Sequence, residues 1–326
     1  MIEPVSSEDA KVKVGQLTCF AMEGGLGVET SSSEPCKMSV GELPKILCGR
    51  YQLQGLLGAG GMAVVYRAKD LVHEQYGEPA PYLAVKLLNE EFADAPDADV
   101  LLYSEFALTR HLRHPNVIRV HAFEVEPGCQ RAFITQELNC GSTLDKLLCE
   151  QPGGLYADQL QAIAVPLLDA LAYVHERGVL HGDLKPGNLM LTDDGPRMFD
   201  FGLGVALDGV MDGLPRLSRD RFKAWTPDYA APELLEGAPL SMQSDVYAMG
   251  CVLYELASGK HPFPNISSVQ ARADRLWFRL RPPANLPIRF WPALRLALAL
   301  DVGVRTITAR ELRDAFSTVP IGRMQF

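Results

Sequence analysis

His181-Gly182-Asp183-Leu184-Lys185-Pro186-Gly187-Asn188 runs directly into Leu189-Met190-Leu191 and, after a polar turn from Thr192 to Pro196, into Met198-Phe199-Asp200-Phe201-Gly202. Two short apolar runs on either side of Asp193-Asp194-Gly195 predict a β-hairpin. Its centre lies near Asp194, so folding it back brings Asn188 and Asp200 together at the open end. An amide oxygen and a carboxylate placed this way suit Mg2+, a hard cation that prefers oxygen and bridges phosphates. Asp183 then lies within reach of a hydroxyl nucleophile, and Lys185 can neutralise charge on a group in transfer. The plain alternative, a polar loop closing on a hairpin, does not account for the whole spacing.

Upstream, strand-like runs occupy Tyr51 to Leu57, Ala63 to Ala68 and Tyr82 to Leu88, with a polar insertion from Val72 to Pro81. Together they predict a small antiparallel sheet. Between the first two runs lies Leu56-Leu57-Gly58-Ala59-Gly60-Gly61-Met62-Ala63-Val64-Val65-Tyr66. Glycines in such a turn let backbone N–H groups approach phosphate oxygens, although glycine hairpins are more often only tight turns. Support comes from Ala84-Val85-Lys86, because strand alternation points Lys86 beneath that hairpin. A helix predicted from about Asp97 to the His114-Pro115-Asn116 break carries Glu105, which can pair with Lys86 and hold its ammonium towards phosphates.

Downstream of Asn139 the pattern turns helical, with apolar faces of helical period over 158–176, 245–258, 290–300 and 308–316. Thr308 and Glu311 have the spacing of a capping box. No internal repeat is visible. Residues 1 to about 44, rich in Ser, Glu and Gly, carry no sustained period and predict a mobile or loosely docked extension.

Composition narrows the function classes. The 326-residue chain is 47% apolar and 22% charged, which is ordinary for a globular protein of one or two cored units. A net charge of -9 argues against broad binding to nucleic acid or anionic lipid. The seven cysteines match no zinc spacing and read as reduced thiols of a cytoplasmic protein. No stretch of ~18 uncharged apolar residues occurs, so no membrane span is expected, and acidic residues near the start argue against an export signal.

In this order and at these separations, the segments resemble the eukaryote-like Ser/Thr protein kinase family, particularly its bacterial branch, from about Arg50 to Val319. Ala231-Pro232-Glu233 and Ser244-Asp245-Val246-Tyr247-Ala248-Met249-Gly250 add to the match. The resemblance implies an α+β, two-lobed kinase fold: a small antiparallel sheet lobe with one long helix, and a larger, mainly helical lobe. It places the lobes at 49–138 and 139–326, after an extension over 1–48. It also implies transfer of the ATP γ-phosphoryl group to Ser or Thr of protein substrates, with autophosphorylation, Mg2+ or alternatively Mn2+, and a cognate phosphatase as partner.

Carried over by residue, the resemblance makes Asp183 the catalytic base, with Lys185 on the γ-phosphate and Asn188 and Asp200 on the metal. ATP would be enclosed by Leu57, Gly58, Ala59, Gly60, Gly61, Met62, Ala63, Val65, Ala84, Lys86, Glu105, the gatekeeper Gln136, and the hinge residues Glu137 and Asn139. Thr226 would line the substrate groove and favour Ser/Thr acceptors. Glu233 would pair with Arg305, and Asp245 would anchor the catalytic-loop backbone from a buried helix. His181 and Phe201 are expected to pack rather than to transfer protons.

Three departures stand out. Ala63 replaces the third loop glycine, Trp225 stands before Thr226 where the family usually has glycine, and Gly182 replaces the arginine before the catalytic aspartate. The last removes the cation that pairs with a phosphorylated activation loop, so weak dependence on such phosphorylation is expected. Two other readings compete. The segment from His181 to Asn188 also resembles small-molecule phosphotransferases acting on aminoglycosides or choline, although Lys185 and Ala231-Pro232-Glu233 fit a peptide groove better. A non-catalytic pseudokinase scaffold would keep the fold, but it usually lacks one of Lys86, Asp183, Asn188 and Asp200, and all are present.

Overall fold

β-Branched and aromatic side chains such as Val64, Val65, Tyr66, Val85, Phe133 and Ile134 fit a pleated, half-buried surface, and they build one sheet. The computed structural model describes residues 43–60, 62–89, 97–207, 209–211 and 226–317. Its strands are β1 (Ile46–Leu47), β2 (Tyr51–Ala59), β3 (Ala63–Asp70), β4 (Tyr82–Leu88), β5 (Val120–Glu126) and β6 (Arg131–Gln136). They form a six-stranded antiparallel sheet in the order β1-β2-β3-β4-β6-β5. Bulges at Leu53/Gly55 and Leu56/Gly58 shift the β2–β3 register below the glycine turn.

Helix α1 (Leu71–Gln75) forms inside the stretch expected to be a polar insertion. Asp70 explains it. Its Oδ1 accepts from the backbone N–H of Val72 and His73 at 3.0 and 3.2 Å, while Arg50 holds the other side of the carboxylate. Helix α2 (Ala98–Thr109) starts near Asp97 but stops before the expected His114 break. Leu101, Leu102 and Phe106 bury against Val120, Ala132 and Ile134, so the helix lies on the sheet and carries Glu105 inward.

The remaining strands are β7 (Gly141–Thr143), β8 (Val179–Leu180), β9 (Leu189–Thr192), β10 (Gly195–Met198) and β11 (Val205–Ala206). The helices after β6 are α3 (Leu144–Glu150), α4 (Ala157–Glu176), α5 (Pro232–Leu235), α6 (Met242–Ser258), α7 (Ser268–Ala273), α8 (Trp291–Ala297) and α9 (Ala309–Ser317). The core of this part joins Leu160, Leu167 and Leu171 of α4 to Val246 and Leu253 of α6 and to Leu312 of α9. Reciprocal hydrogen bonds of Ser241 with Ser244, and of Thr308 with Glu311, cap α6 and α9. Among the described residues no helix is long and apolar enough to cross a membrane.

The β9–β10 hairpin pairs Thr192 with Gly195 and Leu189 with Met198, leaving Asp193-Asp194 as its two-residue turn. Asn116 clamps it from outside, its side chain donating to the Pro196 carbonyl at 2.7 Å.

Candidate active site

Lys86 sits on β4 between two strands, so its stem is buried and its ammonium has one direction open, towards the cleft. There Nζ meets Glu105 Oε1 and Oε2 at 2.6 and 2.7 Å and Asp200 Oδ1 at 2.8 Å. One cation thus ties the sheet to α2 and to the turn after β10. Burial would lower the Lys86 pKa, but Asp200 and Glu105 outweigh it and hold the ammonium charged. Burial would likewise raise the Asp200 carboxyl, yet Lys86 pulls it down to about 2. Glu105 moves the other way because burial dominates and Asp200 repels it while sharing its lysine.

Asp200 adopts φ 66°, a left-handed backbone that costs a non-glycine residue about 1 kcal/mol or more. This conformation turns the carboxylate towards Lys86. Gly202 is part of the same construction, since a Cβ there would lie 3.2 Å from Asp200 Oδ1 and 3.4 Å from Glu105 Oε2.

Asn188 follows from the hairpin. Its carbonyl accepts from Phe199 N–H at 3.1 Å, which sets it across from the residue before Asp200. Its Nδ2 donates to the Asp183 carbonyl at 2.7 Å and to Asp183 Oδ2 at 3.0 Å, leaving its Oδ1 as an oxygen donor. Lys185 Nζ lies 2.8 Å from Asp183 Oδ2 and donates to Thr226 Oγ1 at 2.7 Å. Asp183, Lys185, Asn188 and Thr226 therefore form one network beside the Lys86 cluster.

The loop is held from below by Asp245, in the first turn of α6. Its Oδ2 accepts from His181 N–H at 2.9 Å and its Oδ1 from Gly182 N–H at 2.9 Å. His175, on α4, completes that carboxylate at 3.0 Å. His181 packs on Phe201, with ring centroids 4.5 Å apart. Its Nδ1 accepts from Asp183 N–H at 3.3 Å while Nε2 meets the Phe199 carbonyl at 3.1 Å, so the neutral ring with a proton on Nε2 satisfies both. Burial keeps its pKa below the ordinary value, in agreement with that form. Arg305, fully buried, donates to Glu233 Oε1 at 2.6 Å and to the carbonyls of Gln243 and Ala299.

The residues expected around ATP lie on three neighbouring strands. Leu57, Gly58 and Ala59 end β2, Ala63 and Val65 open β3, and Ala84 pairs with Gln136 across β4 and β6. Gly60 N–H donates to the Ala63 carbonyl at 2.8 Å and closes the turn that holds Met62. Glu137 donates its N–H to the Arg119 carbonyl and accepts the Arg119 N–H on Oε1. Asn139 Nδ2 is buried and has no hydrogen-bond partner among the described residues. Gly61 lies outside the described residues, as do the extension to residue 42 and the loop cations Arg216, Arg219, Arg221 and Lys223 beside Ser218.

His175, Gly202 and Tyr247, whose ring faces the Arg305 guanidinium at 4.9 Å, are contributors that sequence reasoning passed over. His175 and Asp245 stand seventy positions apart, and no local pattern links them. Gly182 also has a steric role. At φ 82° its missing Cβ would meet the Leu203 carbonyl oxygen at 2.5 Å and Leu240 Cδ2 at 3.1 Å. The loop at Gly182 and the start of the segment after Gly202 approach each other too closely there for any side chain.

Comparison with known proteins agrees with this arrangement. Residues 51–291 match the family described as protein kinase domain. The DNA damage-responsive serine/threonine-protein kinase RqkA of Deinococcus radiodurans is 39% identical over 244 residues, covering 74% of this chain and 34% of the relative. The serine/threonine-protein kinase PkaA of Streptomyces coelicolor is 32% identical, over 76% of this chain and 46% of its own. For the serine/threonine-protein kinase PknA of Mycobacterium tuberculosis the figures are 30%, 85% and 63%. The chain thus spans between a third and two thirds of the length of these curated relatives.

Proposed function

Because the chain belongs to the protein kinase family, in the branch represented by bacterial serine/threonine-protein kinases, we propose that it transfers the γ-phosphoryl group of ATP to Ser or Thr hydroxyls of proteins. The observation that carries this reading is the sharing of Lys86 between Glu105 and Asp200 across the cleft. An ammonium has three protons, and Nζ already has three carboxylate oxygens within 2.8 Å. A phosphate oxygen must displace one of them. Glu105 is buried, whereas the Asp200 side chain is 41% exposed, so Asp200 is the partner that yields.

The donor set fits a hard divalent cation, Mg2+ with Mn2+ as the alternative. Asn188 has spent its amide nitrogen on Asp183 and keeps Oδ1, and Asp200 keeps Oδ2, so two protein oxygens remain for the metal. Bound there, the metal would neutralise phosphate charge. Asp183, oriented by Asn188, accepts hydrogen-bonding from an acceptor hydroxyl and receives its proton at the carboxylate. Lys185 stands between Asp183 and Thr226 and supplies positive charge where the transferring group would lie. Because Thr226 also borders the groove, the acceptor is a protein side chain rather than an aminoglycoside or choline. Glu137 and Asn139 serve as the hinge, Gln136 as the gatekeeper, and the lobes divide near residue 138. Free thiols throughout the described residues suit the cytoplasm, and a cognate phosphatase would reverse the modification.

The test is incubation with labelled ATP and Mg2+, with and without a basic acceptor protein, followed by phosphoamino-acid analysis. Phosphoserine or phosphothreonine is expected, with most activity lost in Asp200→Ala and Lys86→Ala. Full activity in Asp200→Ala would refute the assignment.

A further inference from the structure

Between residues 268 and 298 the sequence carries six arginines, no lysine and a single acid, Asp274, in a chain whose net charge is -9. The structure brings part of this stretch together. Phe278 meets Trp277 edge to face at 5.1 Å, Arg295 stacks on Trp277 at 4.3 Å, and Trp277 Nε1 donates to the Arg295 carbonyl. One turn back on α8, Trp291 lies against Tyr254, whose hydroxyl donates to the Arg281 carbonyl at 3.2 Å. Arg289 lies in the short 3-10 turn, Ile288–Phe290, that precedes α8. The face is therefore continuous from Phe278 to Arg281.

Several cations elsewhere pair with carboxylates, among them Arg50 with Asp70, Arg305 with Glu233 and Arg313 with Asp169. In this stretch Arg275, Arg279, Arg281, Arg289 and Arg295 form no ion pair among the described residues, and all but Arg295 are exposed. Phe278 and Ile288 stand 70% and 72% exposed between them. Exposed apolar side chains in a stretch of unpaired arginines and half-buried tryptophans are the composition of an interface centre rather than of an idle surface.

We propose that this face docks an acidic segment of a partner protein that also carries an apolar or aromatic side chain, and that it recruits protein substrates to the active site. Arginine forks match carboxylates in bidentate geometry, which an all-arginine patch favours over the point charge of lysine. Trp277 and Trp291 are locked by their own contacts, so the surface is preformed for a protein. A membrane or a nucleic acid fits less well, because an extended anion meets more of a chain whose net charge is -9 than a short segment does. The face is linked to the groove. Arg272 on α7 pairs with Glu236, and Ser268 donates to the Ala230 carbonyl in the segment that begins at Thr226. Recruitment of substrate rests on the kinase reading above, whereas binding of an acidic segment does not.

The experiment uses the full chain and a fluorescein-labelled peptide of about twenty residues, rich in Glu and Asp with two Phe, read by anisotropy. Binding is expected to weaken at least tenfold in the combined variant Arg279→Glu, Arg281→Glu, Arg289→Glu, and at least tenfold when Gln and Asn replace the acids of the peptide. Rising salt should weaken it in the unmodified protein, which tests the charge argument without any variant. Phosphatidylserine vesicles and duplex DNA are expected to bind more weakly than the peptide. No peptide binding, equal binding by the variant, or tighter binding of vesicles or DNA overturns the proposal. In a kinase assay the variant should raise KM for an acceptor bearing the acidic tract, with kcat and a short tract-free acceptor unchanged. Unchanged KM overturns recruitment, whereas loss of activity towards every acceptor with peptide binding intact tells against the kinase reading instead.

Discussion

Arg305→Ala is expected to cost this protein a large part of its stability without touching the cleft. The guanidinium is fully buried, bonds Glu233 through both outer nitrogens at 2.6 and 3.3 Å, and reaches the carbonyls of Gln243 and Ala299 at 3.0 and 2.9 Å. Truncation leaves a carboxylate that is only 14% exposed, and two carbonyls, facing an empty volume. Removing one partner of a buried pair costs about 3–5 kcal/mol, mostly for the stranded charge. The lost carbonyl bonds overlap with that figure rather than adding to it. At about 2–4 °C per kcal/mol for a larger domain, the melting temperature should fall by roughly 6–20 °C. Scanning calorimetry measures it, and because the pair is shielded, the loss should persist in high salt. Arg305→Met combined with Glu233→Gln should lose less than Arg305→Ala alone, since no charge is then stranded. A melting temperature within about 3 °C of the unmodified protein for Arg305→Ala would refute the argument.

Gly182→Ala should lower the melting temperature by at least about 4 °C, because a left-handed alanine costs about 1–2 kcal/mol before the Leu203 carbonyl has moved aside; an unchanged melt counts against it. His181 should titrate below its ordinary 6.5 in an NMR titration. With the folded pKa depressed, its contribution to stability is present above 6.5 and declines as pH falls towards the folded value, where the unfolded chain gains a proton that the folded chain refuses. A midpoint at or above 6.5 is the contrary result. Glu105→Gln should raise KM for ATP by about tenfold, roughly 1.4 kcal/mol, since Lys86 loses the charged partner that holds it in the cleft; an unaltered KM shows that Asp200 alone suffices.

The strands were legible because their β-branched runs are bounded by glycine and polar turns, and the β9–β10 hairpin because apolar runs flank a two-residue turn. Lys86 and Glu105 were readable as a pair for a similar reason: strand and helix each offer one inward face. Helix α1 was not legible, since five residues hold no full helical period and Asp70 had to be recognised as a cap. His175 was hidden by distance along the chain, its value arising only when α4 and α6 pack. Gly182 was read for the side chain it lacks, and only the backbone φ and the nearby Leu203 carbonyl reveal that no side chain fits. The arginine face was visible as a charge imbalance, but its continuity needed the stacking of Arg295 on Trp277.

Close contact between Gly182 and the Leu203 carbonyl has a bearing on descent. A glycine at this position gives the backbone after Gly202 a tighter seat. With Leu203 and Leu240 occupying that space, a single codon change that adds a side chain would meet a carbonyl and a methyl group already in place. Leaving glycine then requires accompanying change at the neighbouring positions. The glycine acts as a ratchet, and chains that share it should show correlated change at the positions of Leu203 and Leu240.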